Sequence, residues 1–175
     1  EKTIFDFSSA LVLIISQSGL SEDLIECEKT TRSMGAITVI LTNNIKSPMI
    51  ETANYFFNIN ADKEESVAAT KSFVLTLLNI IKLVAIISDN HQILTKINDL
   101  PEIIERENQN EWDPSIVDNH LSNGFIISRG LGYALSTEVS LKFKELCQEQ
   151  IEPFSSAEVM HGPKSLIENK FKLFV

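Results

Sequence analysis

The chain has 175 residues, 43% of them hydrophobic, which is enough for a real core and too apolar for a disordered chain. Fifteen basic residues against 24 acidic ones leave a net charge of −9, which argues against nucleic acid or an anionic membrane as a partner. It does not argue against phosphate, because backbone N–H groups and hydroxyls hold that anion locally. Cys27 and Cys147 form neither a disulfide framework nor a zinc pattern, and they suit a reducing cytosol. His91, His120 and His161 show no metal-ligand spacing, and only His161 has a context that suggests chemistry. No signal peptide is visible, and the apolar run 10–15 is too short to span a bilayer. The chain begins without methionine and ends inside the apolar Phe171–Val175, so it reads as an internal portion of a longer protein.

Ala10–Ile15 is a continuous apolar run, as expected of a buried parallel strand. Ser16-Gln-Ser-Gly19 follows as a small polar turn. A helix is predicted to open at Ser21, its N-cap, and to end at Gly35. Ala36–Thr42 is the next strand, and this βαβ order makes the two strands parallel. Asn43-Asn44 and Ser47-Pro48 mark a loop, with a short helix near Pro48–Ala53. Tyr55–Ile59 reads as a strand, and the polar Asn60–Ser66 leads into helices near 68–88 and 92–108. The segment around Trp112-Asp-Pro114 is the expected boundary between two halves.

The second half starts with a strand at Gly124–Ile127, the turn Ser128-Arg-Gly-Leu-Gly132, and a helix near Ala134–Cys147. A loop is expected over Glu152–Glu158, then His161-Gly-Pro163 with a short helix, and a last strand over Phe171–Val175. Ile14-Ile-Ser-Gln-Ser-Gly-Leu20 echoes Ile126-Ile-Ser-Arg-Gly-Leu-Gly132, which fits a duplicated α/β unit with its ligand site at the carboxyl ends of the strands. The fold class expected is α/β with mostly parallel sheet, in three layers: one near-complete unit over 1–108, a connector over 109–123, and the start of a second unit over 124–175. A strand before residue 1 and more sheet after Val175 are expected to be missing, and this segment alone is expected to be inactive.

Three constellations carry chemistry. Ser16, Gln17, Ser18 and Ser21 set hydroxyls and an amide at a strand end against a helix N-terminus, which favours an anion. The same residues also fit a plain serine-rich turn with an N-cap. Glu138, Lys142 and Glu145, at i, i+4 and i+7, share one helix face. That spacing equally describes an exposed salt-bridge ladder. His161, before Gly-Pro at a turn, is either a surface residue or a group able to move a proton near neutral pH.

Taken in order along the chain, these segments resemble the sugar-isomerase (SIS) family. The nearest forms are the isomerase portion of glutamine–fructose-6-phosphate aminotransferase and SIS-type glucosamine-6-phosphate deaminases. Ser16-Gln-Ser-Gly19 looks like the family's phosphate loop. Ser66-Val-Ala-Ala-Thr-Lys71, Arg129-Gly-Leu-Gly-Tyr133, Glu138–Glu145 and Phe154–Pro163 are similar to its later motifs. The resemblance implies that Ser16, Gln17, Ser18 and Ser21 hold the phosphate and that Val67 meets the sugar through its backbone. It implies that Glu145 moves a proton between C1 and C2, with Lys142 beside it, Glu138 orienting the site and His161 helping to open the ring. It further implies a cytoplasmic homodimer acting on an amino-hexose 6-phosphate, with no metal or organic cofactor. A sugar-phosphate sensor without turnover and an isomerase of another sugar phosphate remain open. Leu20 departs from the acidic residue usual after the loop glycine, and Ala69 replaces a serine. No glutaminase portion is present, so glutamine-dependent synthesis is not expected of this stretch.

Overall fold

The computed structural model describes residues 5–111, 123–168 and 171–175. Trp112-Asp-Pro114, His120 and most of the expected connector lie outside the described residues. The chain divides into two compact units, Glu1–Glu107 and Asn108–Val175.

The first unit runs β1 (Leu11–Ser16), α1 (Glu22–Ser33), β2 (Ile37–Thr42), α2 (Met49–Thr52), β3 (Tyr55–Asn58), α3 (Lys71–Ile87) and α4 (His91–Asn108). Its sheet has the order β1-β2-β3, with both pairings parallel. Leu11 pairs with Ile37 and Ser16 with Thr42, so β1 and β2 end level. Side chains alternate across the central strand β2 and build a core on each face. Ile14 and Ile40 pack with Met49 and with Leu24 and Ile25 of α1. Val39 and Leu41 pack with Ile59, Ala61 and, from α3, Leu75 and Ile80. The unit is therefore a three-layer α/β/α sandwich, as the sequence led us to expect.

One polar group in its core has no apolar signature. Glu28 of α1 is completely buried. Its carboxylate accepts hydrogen bonds from Thr38 Oγ1 of β2 at 3.0 Å and Thr52 Oγ1 of α2 at 2.7 Å, with Arg32 Nε 3.5 Å away. Glu28 thus ties helix to strand to helix, and every buried oxygen is used. Glu28→Ala is expected to cost about 2–3 kcal/mol, from the cavity and two weakened hydroxyl bonds. Glu28→Gln, which keeps the shape and an acceptor, should cost about 1 kcal/mol or less. Urea unfolding of both variants checks this, and equal losses would show that the charge itself is what matters.

The second unit runs β4 (Asn123–Ser128), α5 (Gly132–Lys142), β5 (Gln150–Ser155), α6 (Ser156–Met160) and β6 (Lys172–Phe174). Its sheet has the order β5-β4-β6 and is again parallel throughout. Phe125 of β4 packs edge-on against Phe154 and Phe171, with ring centroids 4.7 and 4.6 Å apart. Two expectations need correction here. Glu152–Glu158 is not a loop: its first part completes β5, paired from Gln150↔Asn123 to Ser155↔Ser128, and its second part opens α6. Pro153 is tolerated because β5 is an edge strand of this sheet, where a missing N–H breaks no ladder on the outer side. The helix read as continuous to Cys147 is α-helical only to Lys142 and then widens into a π-helical turn, Phe143–Cys147, closed by Gln148 at φ 59°. No helix among the described residues is long and apolar enough to cross a membrane.

Candidate functional site

In the first unit the carboxyl ends of all three strands open on one cleft of about 470 Å³. Gln17, Ser18 and Leu20 line it from the loop after β1, Asn43 and Asn44 from the end of β2, and Asp62, Lys63 and Glu64 from the segment after β3. That is where an open parallel α/β sheet places a ligand, because loops from neighbouring strands converge there beside helix N-termini. The lining is polar, and α1 begins two residues beyond Leu20 with Glu22 and Asp23 in its first turn.

The loop after β1 is folded onto its own serines. The Gly19 N–H donates to Ser16 Oγ at 3.1 Å, and the Leu20 N–H donates to Ser18 Oγ at 3.2 Å. Both hydroxyls act as acceptors in these bonds, so each keeps its proton for another acceptor. Ser16 is buried beneath the loop, whereas Gln17 and Ser18 are exposed. Ser21 stands at the N-cap position of α1, but its side chain makes no cap bond, contrary to the N-cap role read from the sequence. Its hydroxyl is half-buried.

The sequence reading passed over the residues that hold the loop in place. Asn43 N donates to Gln17 O at 3.2 Å, and Asn44 Nδ2 donates to Ser18 O at 2.9 Å. Ser47 Oγ donates to Gly19 O at 2.6 Å. The Asn43 side chain also reaches the opposite wall, where Oδ1 accepts from Ala61 N at 2.8 Å and Nδ2 donates to Asp62 O at 2.6 Å. One residue thus joins both walls of the cleft, through its backbone N–H on one side and its side-chain amide on the other. The sequence signal for it was the position of Asn43-Asn44, directly after the strand β2 that the ligand end of the sheet requires.

Glu64 is held by the start of α3. Its carboxylate sits below the ordinary value of 4.5, first because the Ser72 N–H donates to it; loss of hydration opposes this, and the Ser72 hydroxyl, the Thr70 N–H and the Lys71 charge add smaller help. Val67, expected to meet the sugar, is almost fully exposed and is not among the residues lining the cleft. The chain bends at 66–68 before α3 begins.

In the second unit the predicted ladder is present. Lys142 Nζ lies 2.6 Å from Glu138 Oε1 and 3.8 Å from Glu145 Oε2. Lys142 is thus bound chiefly to Glu138, while the Glu145 carboxylate stands beyond hydrogen-bond length from it. All three side chains are partly shielded from water, with 21%, 19% and 31% exposure for Lys142, Glu138 and Glu145. Glu145 projects from the π-helical turn, a distortion that often accompanies a functional side chain. His161 caps α6 at its C-terminus, is exposed, and donates its backbone N–H to Glu158 O at 3.0 Å. Ser155 and Glu158 form a capping box at the other end of α6, and the Ser155 hydroxyl and then its N–H hold the Glu158 carboxyl below its usual range.

A three-layer parallel α/β unit with a polar cleft at the carboxyl ends of its strands defines a ligand-binding α/β domain. Residues 7–86 match the model of the SIS domain. The chain is similar to the isomerizing glutamine–fructose-6-phosphate aminotransferase of Sulfurisphaera tokodaii, with 32% identity over 94% of this chain and 28% of that protein. Its structure superposes with a TM-score of 0.90 on a Silicibacter pomeroyi protein assigned as a phosphosugar isomerase, 34% identical over 98% of this chain and 53% of that one. Glucosamine-6-phosphate deaminase from Thermotoga maritima shares the fold at a TM-score of 0.74 and 20% identity, over 93% of this chain and 51% of that one. The chain thus spans about a quarter of the aminotransferase and about half of each solved structure.

Proposed function

We propose that the intact protein binds a phosphorylated sugar in the first-unit cleft and acts on it as an aldose–ketose isomerase or deaminase, with an amino-hexose 6-phosphate as substrate. The observation that carries this reading is the loop after β1, where Gln17 and Ser18 line a polar cleft, with Ser16 buried beneath the loop and Ser21 at the N-cap position of α1. Two hydroxyl protons, an amide and a helix N-terminus form an acceptor-seeking surface without a net positive charge. Relatives that bear the names of an aminotransferase of fructose 6-phosphate, a phosphosugar isomerase and a glucosamine-6-phosphate deaminase support the substrate class. Glucosamine 6-phosphate and fructose 6-phosphate interconversion, with ammonia released or added, is the specific reaction we assign. In it Glu145 moves the proton, Lys142 and Glu138 set its surroundings, and His161 assists ring opening. The same reading gives a cytoplasmic homodimer, which sedimentation of the intact protein tests.

Calorimetry with fructose 6-phosphate and with fructose separates phosphate recognition from sugar recognition. Binding of the first and not the second is expected. Ser16→Ala combined with Ser18→Ala should weaken fructose 6-phosphate about 30- to 100-fold, the worth of about 2–3 kcal/mol of charge-assisted hydrogen bonds. Unchanged affinity in that double variant would remove the loop from the site. Ammonia release from glucosamine 6-phosphate then decides the chemistry: release assigns a deaminase, and binding without turnover assigns a sensor.

A further inference from the structure

The cleft wall opposite the serine loop is an irregular segment with two residues in the left-handed region, Asn60 at φ 57° and Asp62 at φ 52°. Asparagine and aspartate tolerate that region better than other side chains, but the conformation persists only where surrounding contacts fix it. Asn43 supplies two such contacts, at Ala61 N and Asp62 O. The others come from the start of α3, and they run in both directions. Lys71, the first residue of α3, reaches back so that Nζ donates to Lys63 O at 2.8 Å. Glu64 reaches forward, and its Oε2 accepts from Ser72 N at 2.9 Å, Ser72 Oγ at 3.0 Å and Thr70 N at 3.3 Å. Thr70 holds the N-cap position but makes no cap bond, and its hydroxyl donates instead to Ala68 O at 3.0 Å. The helix therefore takes its cap from the cleft wall, and the wall takes a cation from the helix.

We propose that Glu64 and Lys71 form a reciprocal clamp that fixes residues 61–64 against α3 and thereby sets the affinity of the cleft for its phosphorylated ligand. Lys71 is a positioning residue, acting through the Lys63 carbonyl. The clamp explains why a lysine and a glutamate seven residues apart, either of which would ordinarily point into water, are both spent on backbone groups. A wall held on one side only would be free to relieve its left-handed residues, and the ligand would then have to order it on binding. The claim about affinity rests on the sugar-phosphate reading above, whereas the clamp itself does not.

Lys71→Met keeps the stem and removes the donor, and Lys71→Arg restores a cation able to reach a carbonyl. Amide hydrogen exchange on the full ligand-free chain is measured first. Lys71→Met should speed exchange at 61–64 about tenfold while leaving β1 and β2 unchanged, and Lys71→Arg should return it toward wild type. Fructose 6-phosphate affinity, by calorimetry, should fall about three- to tenfold in Lys71→Met and recover in Lys71→Arg. Unchanged exchange in Lys71→Met overturns the clamp. Faster exchange with unchanged fructose 6-phosphate affinity overturns its role in binding. A wild-type chain that does not bind fructose 6-phosphate, yet shows the expected exchange pattern, sinks the sugar-phosphate reading and leaves the clamp standing.

Discussion

Gly19→Ala is expected to destabilise the first unit by about 2–5 kcal/mol and to abolish ordered ligand binding with it. Two independent terms add. The residue sits at φ 64°, where a side chain with Cβ meets its own backbone. The new Cβ would also stand 2.6 Å from Ser47 Cβ and 2.7 Å from Thr42 Oγ1. Neither neighbour can yield, because Ser47 and Thr42 are both buried and Ser47 Oγ is bonded to Gly19 O. Lifting the loop would break that bond and the bond from Gly19 N to Ser16 Oγ together. Urea unfolding followed by circular dichroism measures the loss. Adding Ser47→Gly to Gly19→Ala should recover only the part of the clash that Ser47 makes, because Thr42 Oγ1 still stands 2.7 Å from the new Cβ and the Ser47 bond to Gly19 O is lost. A single variant as stable as wild type would mean that the loop shifts freely at residue 19.

The sequence made the strands legible because a buried parallel strand must be apolar along its length, and Ala10–Ile15 and Ala36–Thr42 were placed within a residue of β1 and β2. The serine loop was legible for the same local reason, since it joins a strand end to a helix start. Glu152–Glu158 was misread because Pro153, Ser155 and Ser156 carry turn chemistry, while the register that makes them strand and helix comes from β4, more than twenty residues away. Glu28 gave no signal at all. A glutamate in a polar helix belongs to the surface by composition, and only the positions of Thr38 and Thr52 make its burial favourable. The far wall of the cleft was hidden by the same non-locality, for Asn43 and Asp62 are 19 residues apart. Asn60–Ser66 read only as a polar stretch leading into a helix, because the bonds that fix it join backbone groups to distant residues that no local pattern reveals. The face shared by Glu138, Lys142 and Glu145 was read correctly, but the π-helical turn that carries Glu145 was not, since nothing in Phe143–Cys147 breaks the helical pattern.

That turn bears on the last prediction, which concerns the proposed base. Glu145→Gln in the intact protein should slow exchange of the sugar C2 proton with deuterated water by about 100- to 10,000-fold, the range that a positioned general base supplies. Fructose 6-phosphate binding should stay within about threefold, because the variant leaves the serine loop proposed to hold the phosphate unaltered. Glu145 is proposed for this role rather than Glu138 because of how each stands to Lys142. A base must be able to reach the proton it takes, and Glu138 is held by the Lys142 ammonium at 2.6 Å. Glu145 stands at 3.8 Å from the same ammonium, close enough to feel its charge and too far to be tied by it. A straight α-helix would stack the two carboxylates almost in line, seven residues apart. The extra residue per turn in Phe143–Cys147 swings Glu145 off that line. Lys142→Met should therefore reduce exchange by a smaller factor, about tenfold, since it removes a neighbouring charge and not the acceptor. Glu138→Gln should fall between wild type and Lys142→Met, because it loosens the lysine without removing it. Exchange measured by mass spectrometry of the recovered sugar phosphate separates these cases. If Glu145→Gln exchanges near the wild-type rate while Glu138→Gln does not, the base is Glu138, and the 2.6 Å pair is the ground state of a lysine that must move aside before proton transfer.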